Sequence, residues 1–318
     1  MMTNWHWNGY GFKAMGTRVY IWLYSPTPNS SEILMDIQST FDSMERRLSR
    51  FLPHSEISLF NHATTTEFHA SPTLFSIMEA AKWAAAATGG LFDPTILDAL
   101  ETAGYNRSFE TIDTRQTATA ALPPPRPGRF AQVMLNPATR HIIKPHDVRI
   151  DLGGIGKGWT VDRAADRLAG NAPFLVNAGG DLYAYGAPPK HSAWTVDIPH
   201  PNNSGQTIAS LKITDRAVAT SSITRRCWWR GNTRMHHLID PHTGQLAKTD
   251  VQSVTVVAQR TAIAEVFAKT ALILGKRDGL AFLESMPDTA GLLVTADNHI
   301  LMTSNMTQYT DTTKPPQI

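Results

Sequence analysis

Apolar residues recur at spacings of three and four in two stretches of the N-terminal third, and this spacing predicts amphipathic helices. The first helix opens with the capping pattern Asn29…Glu32 and carries apolar residues on one face: Ile33, Ile37, Phe41, Met44, Leu48 and Phe51. The second has Ser71 as its N-cap and Pro72 in its first turn, and it stops at Gly89-Gly90. We therefore expect two helices in this part of the chain.

Further along, short segments rich in β-branched and aromatic residues predict strands. They lie at residues 19–24, 132–135, 141–143, 174–177, 182–185, 194–198, 208–213 and 254–257. The segments at 132–135 and 141–143 flank a turn at 136–139 and are expected to form a hairpin. Because strands and helices do not alternate strictly, we expect an α+β fold with largely antiparallel sheets. The proline-rich residues 122–129 predict an exposed connection, and the polar residues after Ser304 predict a disordered tail.

Residues 151–162 hold four glycines around Lys157. An apolar run at residues 148–152 predicts a strand before them, and the apolar residues from Val161 onward predict a helix after them. Glycines at such a turn let backbone N–H groups approach an anion, and a helix N-terminus favours negative charge. A nucleotide phosphate is the usual anion, although neither a Walker loop nor the dinucleotide fingerprint fits these residues. A tight turn without a function is the alternative.

The composition narrows the classes of partner. The chain has 318 residues, with 29 Lys and Arg against 27 Asp and Glu, so no net field draws it to nucleic acid or anionic lipid. The single cysteine, Cys227, excludes an internal disulfide and a zinc site built from several cysteines. The N-terminal residues lack an apolar signal segment and a lipidation cysteine, and no apolar run reaches about 18 residues. We therefore expect a cytoplasmic protein that binds neither nucleic acid nor a membrane.

Four further segments place polar side chains in apolar surroundings. They are Gly90-Leu-Phe-Asp-Pro-Thr95, Asn177-Ala-Gly-Gly-Asp181, Thr220-Ser221-Ser222 and His236-His237-Leu-Ile-Asp240-Pro-His-Thr-Gly244. Each segment alone is typical of a turn or of a structural polar residue. A zinc site built from the histidines lacks a second ligand pair at helical spacing.

The order of these segments is more informative than any one of them, because together they match a known succession. It runs through Ala14-Met15-Gly16-Thr17, Ser55-Glu56-Ile57-Ser58…Asn61, Phe92-Asp93-Pro94-Thr95, the lysine–glycine turn, Asn177…Gly179-Gly180-Asp181, Thr220-Ser221 and His237…Asp240-Pro241…Thr243-Gly244. With these motifs the chain resembles the FAD:protein FMN transferases, the ApbE family, over roughly residues 14–302. The resemblance implies a bilobal α+β fold similar to the T-fold. One domain would span residues 1–303, with FAD between its two lobes, and residues 304–318 would form the polar tail.

The resemblance also implies an activity. Members of the family cleave FAD at its pyrophosphate, attach FMN through a phosphoester bond to a Thr or Ser of a target protein, and release AMP, with magnesium as their metal. The expected partners are therefore FAD and an acceptor protein that carries such a Thr or Ser motif. Hydrolysis of FAD to FMN and AMP, and FAD binding without catalysis, are the alternatives.

By position, the resemblance assigns roles to individual residues. Those that match FAD contacts are Met15, Phe51, Leu91, Phe92, Asp93, Asp151, Lys157, Thr220 and Ser221. His237 matches the histidine near the acceptor hydroxyl, and the ordinary histidine pKa of about 6.5 suits a general base at neutral pH. The backbone carbonyl of Gly154 and the side chain of Glu265 match metal ligands.

One position departs from the family pattern. The family has an Asp and, four residues later, a Thr as metal ligands, and the matching residues here are Glu265 and Lys269. Glutamate can bind magnesium, whereas a charged lysine cannot. We expect the Lys269 ammonium group at or beside the metal position, compensated by Glu265 and by the FAD pyrophosphate. The alternative is a displaced metal bound through Glu265, the Gly154 carbonyl and phosphate oxygens.

Overall fold

The computed structural model describes residues 5–26, 30–117, 126–170, 172–203 and 205–311. The chain forms two compact units: Met1–Ser43, Lys157–Thr224 and Thr249–Ile318 make the first, and Met44–Gly156 with Arg225–Lys248 make the second. The predicted cap Asn29, residues 122–125 of the proline-rich segment and residues 312–318 lie outside the described residues.

The described residues form six α-helices. They are α1 (Ser31–Leu48), α2 (Glu56–His62), α3 (Pro72–Ala87), α4 (Leu97–Thr102), α5 (Gly156–Leu168) and α6 (Thr261–Ser285). Helix α3 is capped as predicted, because the Ser71 hydroxyl accepts the Leu74 N–H at 3.2 Å. Positive φ angles at Gly89 and Gly90 then turn the chain away from the helix. Short 3-10 helices lie at Pro94–Ile96, Phe109–Thr111, Phe130–Gln132 and Ser304–Gln308.

The strands agree with the predicted ones in most cases and add several others. In chain order they are β1 (His6–Ala14), β2 (Thr17–Ser25), β3 (Glu67–His69), β4 (Arg115–Gln116), β5 (Met134–Asn136), β6 (His141–Ile143), β7 (Phe174–Ala178), β8 (Asp181–Tyr185), β9 (Trp194–Pro199), β10 (Thr207–Ile213), β11 (Arg216–Ser222), β12 (Cys227–Arg230), β13 (Thr233–His236), β14 (Ile239–Asp240), β15 (Gln245–Leu246), β16 (Val251–Ala258), β17 (Ala290–Thr295) and β18 (Ile300–Met302). Among the described residues every strand pair is antiparallel except β4 with β12, so the prediction of largely antiparallel sheets is confirmed.

An eight-stranded sheet forms the centre of the first unit, in the order β1-β2-β7-β8-β11-β16-β17-β18. Apolar residues of α1 and α5, such as Phe41 and Val161, pack against residues of β2 and β7, such as Ile21 and Val176. Helix α6 packs against β11, β16 and β17. The β9–β10 hairpin contributes residues such as Leu211 to a second apolar cluster with the same sheet. These contacts hold α5, which carries Lys157, and α6, which carries Glu265 and Lys269.

The second unit is built from smaller sheets, in the orders β3-β6-β5, β13-β12-β4 and β14-β15. The predicted hairpin is confirmed, because β5 and β6 pair antiparallel. An apolar cluster includes Trp228, whose indole N–H donates to the Ala103 carbonyl at 3.0 Å. This contact ties β12 to the end of α4.

The predicted strand at residues 148–152 is wrong, although its apolar side chains are buried. The Asn61 side chain takes the place of a neighbouring strand: it accepts the Ile150 N–H at 2.7 Å and donates to the Ile150 carbonyl at 2.8 Å. The Asp151 N–H donates to the Pro94 carbonyl at 2.8 Å. Helix α5 also begins earlier than predicted, at Gly156 rather than near Val161, so Lys157 lies in its first turn.

The predicted disordered tail is wrong as far as Asp311. Residues 304–308 form a 3-10 helix, and the fully buried Met306 packs in the cluster that contains Leu211. The Lys212 N–H donates to the Tyr309 carbonyl at 2.7 Å, and the Asp311 N–H donates to the Ser210 carbonyl at 2.8 Å. Apolar anchors at 306 and 309 therefore order a segment whose average polarity predicts disorder. Among the described helices, none has the length and apolar character needed to cross a membrane.

Candidate active site

Two carboxylates and a lysine meet in the first unit. The Lys157 ammonium group, in the first turn of α5, forms ion pairs with Asp181 at the start of β8 and with Glu265 of α6. Its nitrogen lies 3.0 Å from Oε1 of Glu265. Asp181 and Glu265 are each only 4 % exposed. Two buried carboxylates require compensating charge, and Lys157 supplies part of it.

Lys269 supplies the second positive charge. It follows Glu265 by one turn of α6, where residues four apart lie on the same face. Burial alone raises the pKa of Glu265, but attraction to Lys157 and Lys269 and a backbone hydrogen bond hold that pKa below its usual value. The pKa of Asp181 is raised by burial and by the nearby Glu265, against the attraction of Lys157. We call Lys157, Asp181, Glu265 and Lys269 the lysine–carboxylate cluster.

The N-terminus of α5 is engaged by the chain itself. The Gly158 N–H, in the first turn of this helix, donates to Oε2 of Glu265 at 2.8 Å. A carboxylate therefore lies where the sequence predicts a phosphate, and the same physical preference for an anion explains it. Gly158 also permits the close approach of α6, since a Cβ atom there would lie 2.6 Å from the Thr261 carbonyl oxygen.

Asp162 holds the start of α6 against α5. Its buried carboxylate accepts the Thr261 N–H at 2.7 Å and the Ala262 N–H at 3.0 Å. These are two of the N–H groups that a helix start leaves without intrahelical partners. Burial raises the pKa of Asp162, although Arg260 and the two backbone donors favour its charged form. Asp162 thus positions the helix that carries Glu265 and Lys269.

The residues of the cluster do not fit a magnesium site. Magnesium prefers about six oxygen ligands in octahedral geometry, and here both oxygens of Glu265 already accept hydrogen bonds from Lys157 and Gly158. Lys269 stands at the second expected ligand position and offers no oxygen. Across the described parts of the chain, no group of three or more His, Cys, Asp or Glu side chains is arranged to hold a metal ion. Gly154 lies in the turn that precedes α5.

Phe51 and Asp151, both predicted to contact FAD, are joined in the second unit by Arg50. The Arg50 guanidinium lies 4.2 Å from the centre of the Phe51 ring and forms an ion pair with Asp151. It also donates to the Tyr105 carbonyl at 2.7 Å. Phe51 is 36 % exposed. Arg50, which the sequence did not single out, therefore orients two predicted site residues.

The segment with Leu91, Phe92 and Asp93 has a clear structural part. Phe92 is buried, whereas Leu91 is half-buried. The Asp93 carboxylate accepts N–H groups from Thr95 at 2.7 Å and Phe130 at 3.0 Å, so it caps the 3-10 helix at Pro94–Ile96 and links it to the one at Phe130–Gln132. The structure thus gives Asp93 a capping role and leaves its predicted FAD contact a prediction.

Three predicted FAD residues lie elsewhere in the first unit. Met15 and Gly16 both have positive φ and form the two-residue turn between β1 and β2, one residue earlier than the predicted turn. Met15 is half-buried at this turn. Thr220 and Ser221 lie on β11, where the Thr220 hydroxyl pairs with that of Thr255 at 2.9 Å.

The adjacent histidines of the second unit differ in their hydrogen bonds. Nδ1 of His236 accepts the Leu238 N–H at 3.3 Å, and burial lowers the pKa of His236. Nδ1 of the half-buried His237 lies 3.4 Å from the Arg226 carbonyl. A carbonyl oxygen can only accept, so this nitrogen carries the proton and Nε2 is the basic nitrogen of neutral His237.

The second unit also contains a cavity of about 1000 Å³. Its lining includes the ion pairs of Arg149 with Asp98 and Glu101 and the side chain of His236. The described residues that line it do not include any of those predicted to contact FAD. The cavity therefore does not by itself locate the FAD site.

The sequence missed the roles of Asp181, Asp162 and Arg50. Asp181 belongs to the quoted Gly179-Gly180-Asp181 motif, and a carboxylate at the start of an apolar strand was the available signal. For Asp162 and Arg50 no local pattern pointed to the long-range partner.

Comparison with known proteins now identifies the family. The family model described as the ApbE family matches residues 15–293, and the chain belongs to this family. A relative from Treponema pallidum named FAD:protein FMN transferase is 28 % identical, over 90 % of this chain and 84 % of its own length. One from Klebsiella pneumoniae with the same name is 26 % identical, over 83 % of this chain and 77 % of its own length.

Solved structures agree on the fold. An ApbE protein from Thermotoga maritima has a TM-score of 0.86 at 24 % identity and covers 96 % of this chain and 100 % of its own. The flavin transferase ApbE from Vibrio cholerae has a TM-score of 0.81 at 22 % identity, with 96 % and 100 % covered. The expected α+β class and the family resemblance are thus confirmed.

Proposed function

We propose that the protein is an FAD:protein FMN transferase. It cleaves FAD at the pyrophosphate, attaches FMN to a Thr or Ser hydroxyl of an acceptor protein, and releases AMP. The observation that carries this proposal is the family match over residues 15–293, together with relatives of that name aligned along most of their length.

The reaction needs a base for the acceptor hydroxyl. The hydroxyl oxygen attacks the FMN-side phosphorus, the bond from that phosphorus to the bridging oxygen breaks, and AMP leaves with the bridging oxygen. His237 takes the hydroxyl proton on Nε2, because its Nδ1 donates toward the Arg226 carbonyl. This hydrogen bond fixes the tautomer that a base requires.

FAD binds, in this proposal, to the residues that the family resemblance matches to FAD contacts. The flavin contacts Met15 and the ring of the partly exposed Phe51, against which the Arg50 guanidinium packs. Leu91, Phe92, Asp93, Asp151, Thr220 and Ser221 complete the contacts that the family resemblance implies. Arg50 keeps Phe51 and Asp151 in place by contacting both.

Lys157 and Lys269 stabilise the negative charge of the pyrophosphate. Charges held in a buried cluster need little reorganisation when the leaving group gains charge, and this preorganisation is an effective source of catalysis. Lys269 supplies the positive charge that magnesium provides in the family pattern, because the donor set of the cluster does not fit that ion. A displaced magnesium held through Glu265, the Gly154 carbonyl and phosphate oxygens is the competing arrangement.

The acceptor is a protein with an exposed Thr or Ser in a short motif.

The products of FAD turnover test the proposal. Purified protein is incubated with FAD and an extract of cells that lack this protein, and AMP and protein-bound flavin are quantified. The proposal expects both products in equal amounts. AMP without bound flavin indicates a hydrolase, and intact retained FAD indicates a binding protein. Calorimetry is expected to show tighter binding of FAD than of FMN, because the AMP half contributes contacts.

A further inference from the structure

Strands β1 and β2 carry aromatic side chains on the sheet face that points away from the helices. On β2, Val19, Ile21 and Leu23 belong to the helix-covered core, so the alternate residues point the other way. The pairing register brings the matching residues of β1 onto the same face. We call this surface the aromatic face, and it consists of Trp7, Tyr20, Trp22, Tyr24, Lys13 and Arg18.

The aromatic face lies on the same side of the sheet as the surface that the β9–β10 hairpin covers. The β9–β10 hairpin packs on this side of the sheet against residues such as Leu175 of β7 and Leu182 of β8. The cover reaches Trp194, whose ring forms a T-shaped pair with the Trp7 ring, with the two ring centres 5.6 Å apart. Beyond this contact Trp7 is 50 % exposed, Tyr20 40 % and Trp22 39 %. Large aromatic side chains clustered in this way mark an interaction surface rather than scattered exposed residues.

The rings are ordered against one another. The rings of Tyr20 and Trp22 stack with their centres 5.7 Å apart, and the rings of Trp5 and Tyr24 stack with their centres 5.4 Å apart. Gly11, opposite Tyr20, lets that ring lie flat on the strand, because a Cβ atom there would be 3.0 Å from the ring. Prearranged rings lose little conformational freedom when they bind.

The charges of this face have one sign. Lys13 and Arg18 are paired across the two strands and exposed at the turn end of the hairpin. The residues of both strands on this face include no carboxylate. Trp and Tyr favour the boundary between lipid headgroups and acyl chains, and nearby cations attract anionic headgroups. We propose that the aromatic face binds the surface of an anionic lipid bilayer.

Other occupants match these features less well. A second copy of the same face brings two more cations and no carboxylate. Single-stranded nucleic acid needs a basic groove that follows its backbone, whereas the two cations here lie side by side at one end. The near balance of charge over the whole chain predicted no membrane partner, but that average conceals the local excess on this face.

Vesicle flotation tests the proposal. The full chain is mixed with phosphatidylcholine vesicles with or without phosphatidylglycerol, and the floating fraction is measured. Two double variants alter the face: Lys13→Glu with Arg18→Glu, and Tyr20→Ser with Trp22→Ser. Their matched controls lie elsewhere on exposed positions: Lys190→Glu with Arg277→Glu, and Trp229→Ser. Circular dichroism melts confirm that each variant is folded.

Wild type is expected to float with the anionic vesicles, and the charge-reversed variant to bind at least about tenfold more weakly. The aromatic variant is expected to lose binding as well, while both controls float like wild type. Failure of wild type to float, or equal losses in the control variants, would overturn the proposal. So would sedimentation velocity without lipid that shows a dimer dispersed by the same face variants. The charge-reversed variant keeps the test decisive even where the aromatic variant misfolds.

Discussion

The ammonium nitrogen of Lys157 lies 3.0 Å from the carboxylate of Glu265, a residue 108 positions later in the chain. The same carboxylate accepts the Gly158 N–H at the start of α5. Glu265 thus joins α5 to α6. The family pattern assigns Lys157 to the pyrophosphate and Glu265 to the metal, and here these two residues contact each other. The consequence is a cluster in which Lys157 and Lys269 balance charge on the buried carboxylates.

The first prediction concerns Lys269 and magnesium. If Lys269 supplies the charge, wild-type FMN transfer proceeds with a chelator present, and Lys269→Met lowers its rate by about tenfold or more. The exposed Lys276→Met variant on the same helix is the control and keeps the wild-type rate. Restoring the family residues with Glu265→Asp and Lys269→Thr is expected to make the reaction depend on magnesium.

Magnesium titration of AMP release decides between the two arrangements. A strict and saturable magnesium requirement with Lys269 intact would establish that a displaced magnesium ion is used. It would exclude the idea that Lys269 replaces magnesium. This result would leave the transferase proposal itself untouched.

The second prediction concerns His237. As the base, its replacement by Ala is expected to lower the transfer rate by about a hundredfold or more while FAD affinity changes little. His242→Ala, in the exposed turn nearby, is the control. A His237→Ala variant that melts normally and transfers FMN at the wild-type rate would remove His237 from the mechanism.

The third prediction concerns the helix anchor. Asp162→Ala removes two hydrogen bonds to the start of α6 and is expected to cost about 2 kcal/mol or more of unfolding free energy. Asp166→Ala removes the neighbouring, 43 % exposed partner of Arg260 and is expected to cost no more than about 1 kcal/mol. Urea unfolding measures the free energy of unfolding of both variants. Equal losses would show that the buried Asp162 cap stabilises the fold no more than the exposed Asp166 ion pair does.

The fourth prediction concerns pH. Burial lowers the pKa of His236 in the folded state, so below the ordinary histidine pKa the unfolded chain binds more protons. This contribution to stability is therefore present above about pH 6.5 and is lost as the pH falls through the folded-state pKa. His236→Asn keeps an acceptor for the Leu238 N–H and is expected to weaken this dependence, whereas His242→Ala is expected to keep it. Urea unfolding at several pH values measures the slopes, and identical slopes in wild type and His236→Asn would contradict the account.

Local patterns predicted the elements whose signals are local. Helix α3 follows from its cap, its first-turn proline and its terminal glycines, and the hairpin of β5 and β6 follows from a turn between two apolar segments. Strand β1 was not predicted, because glycines at positions 9 and 11 alternate with its aromatic residues and weaken the strand signal.

The features that local patterns did not predict depend on partners far away in the sequence. Residues 148–152 look like a strand because they are apolar, but their backbone pairs with the Asn61 side chain, which no periodicity reveals. The family resemblance assigned Lys157 to the pyrophosphate, but no local pattern showed that Asp181 and Glu265 lie beside it. The order of the motifs, by contrast, pointed to the family because that order survives when single residues change.

The most direct test of the account is mass spectrometry of acceptor protein after incubation with FAD, combined with quantification of AMP. The account predicts a Thr or Ser that gains one FMN through a phosphoester bond, with one AMP released for each modified residue. It also predicts that the His237→Ala variant forms neither product at a comparable rate. Release of AMP and free FMN with no modified residue, in an extract that contains the natural acceptor, would contradict it.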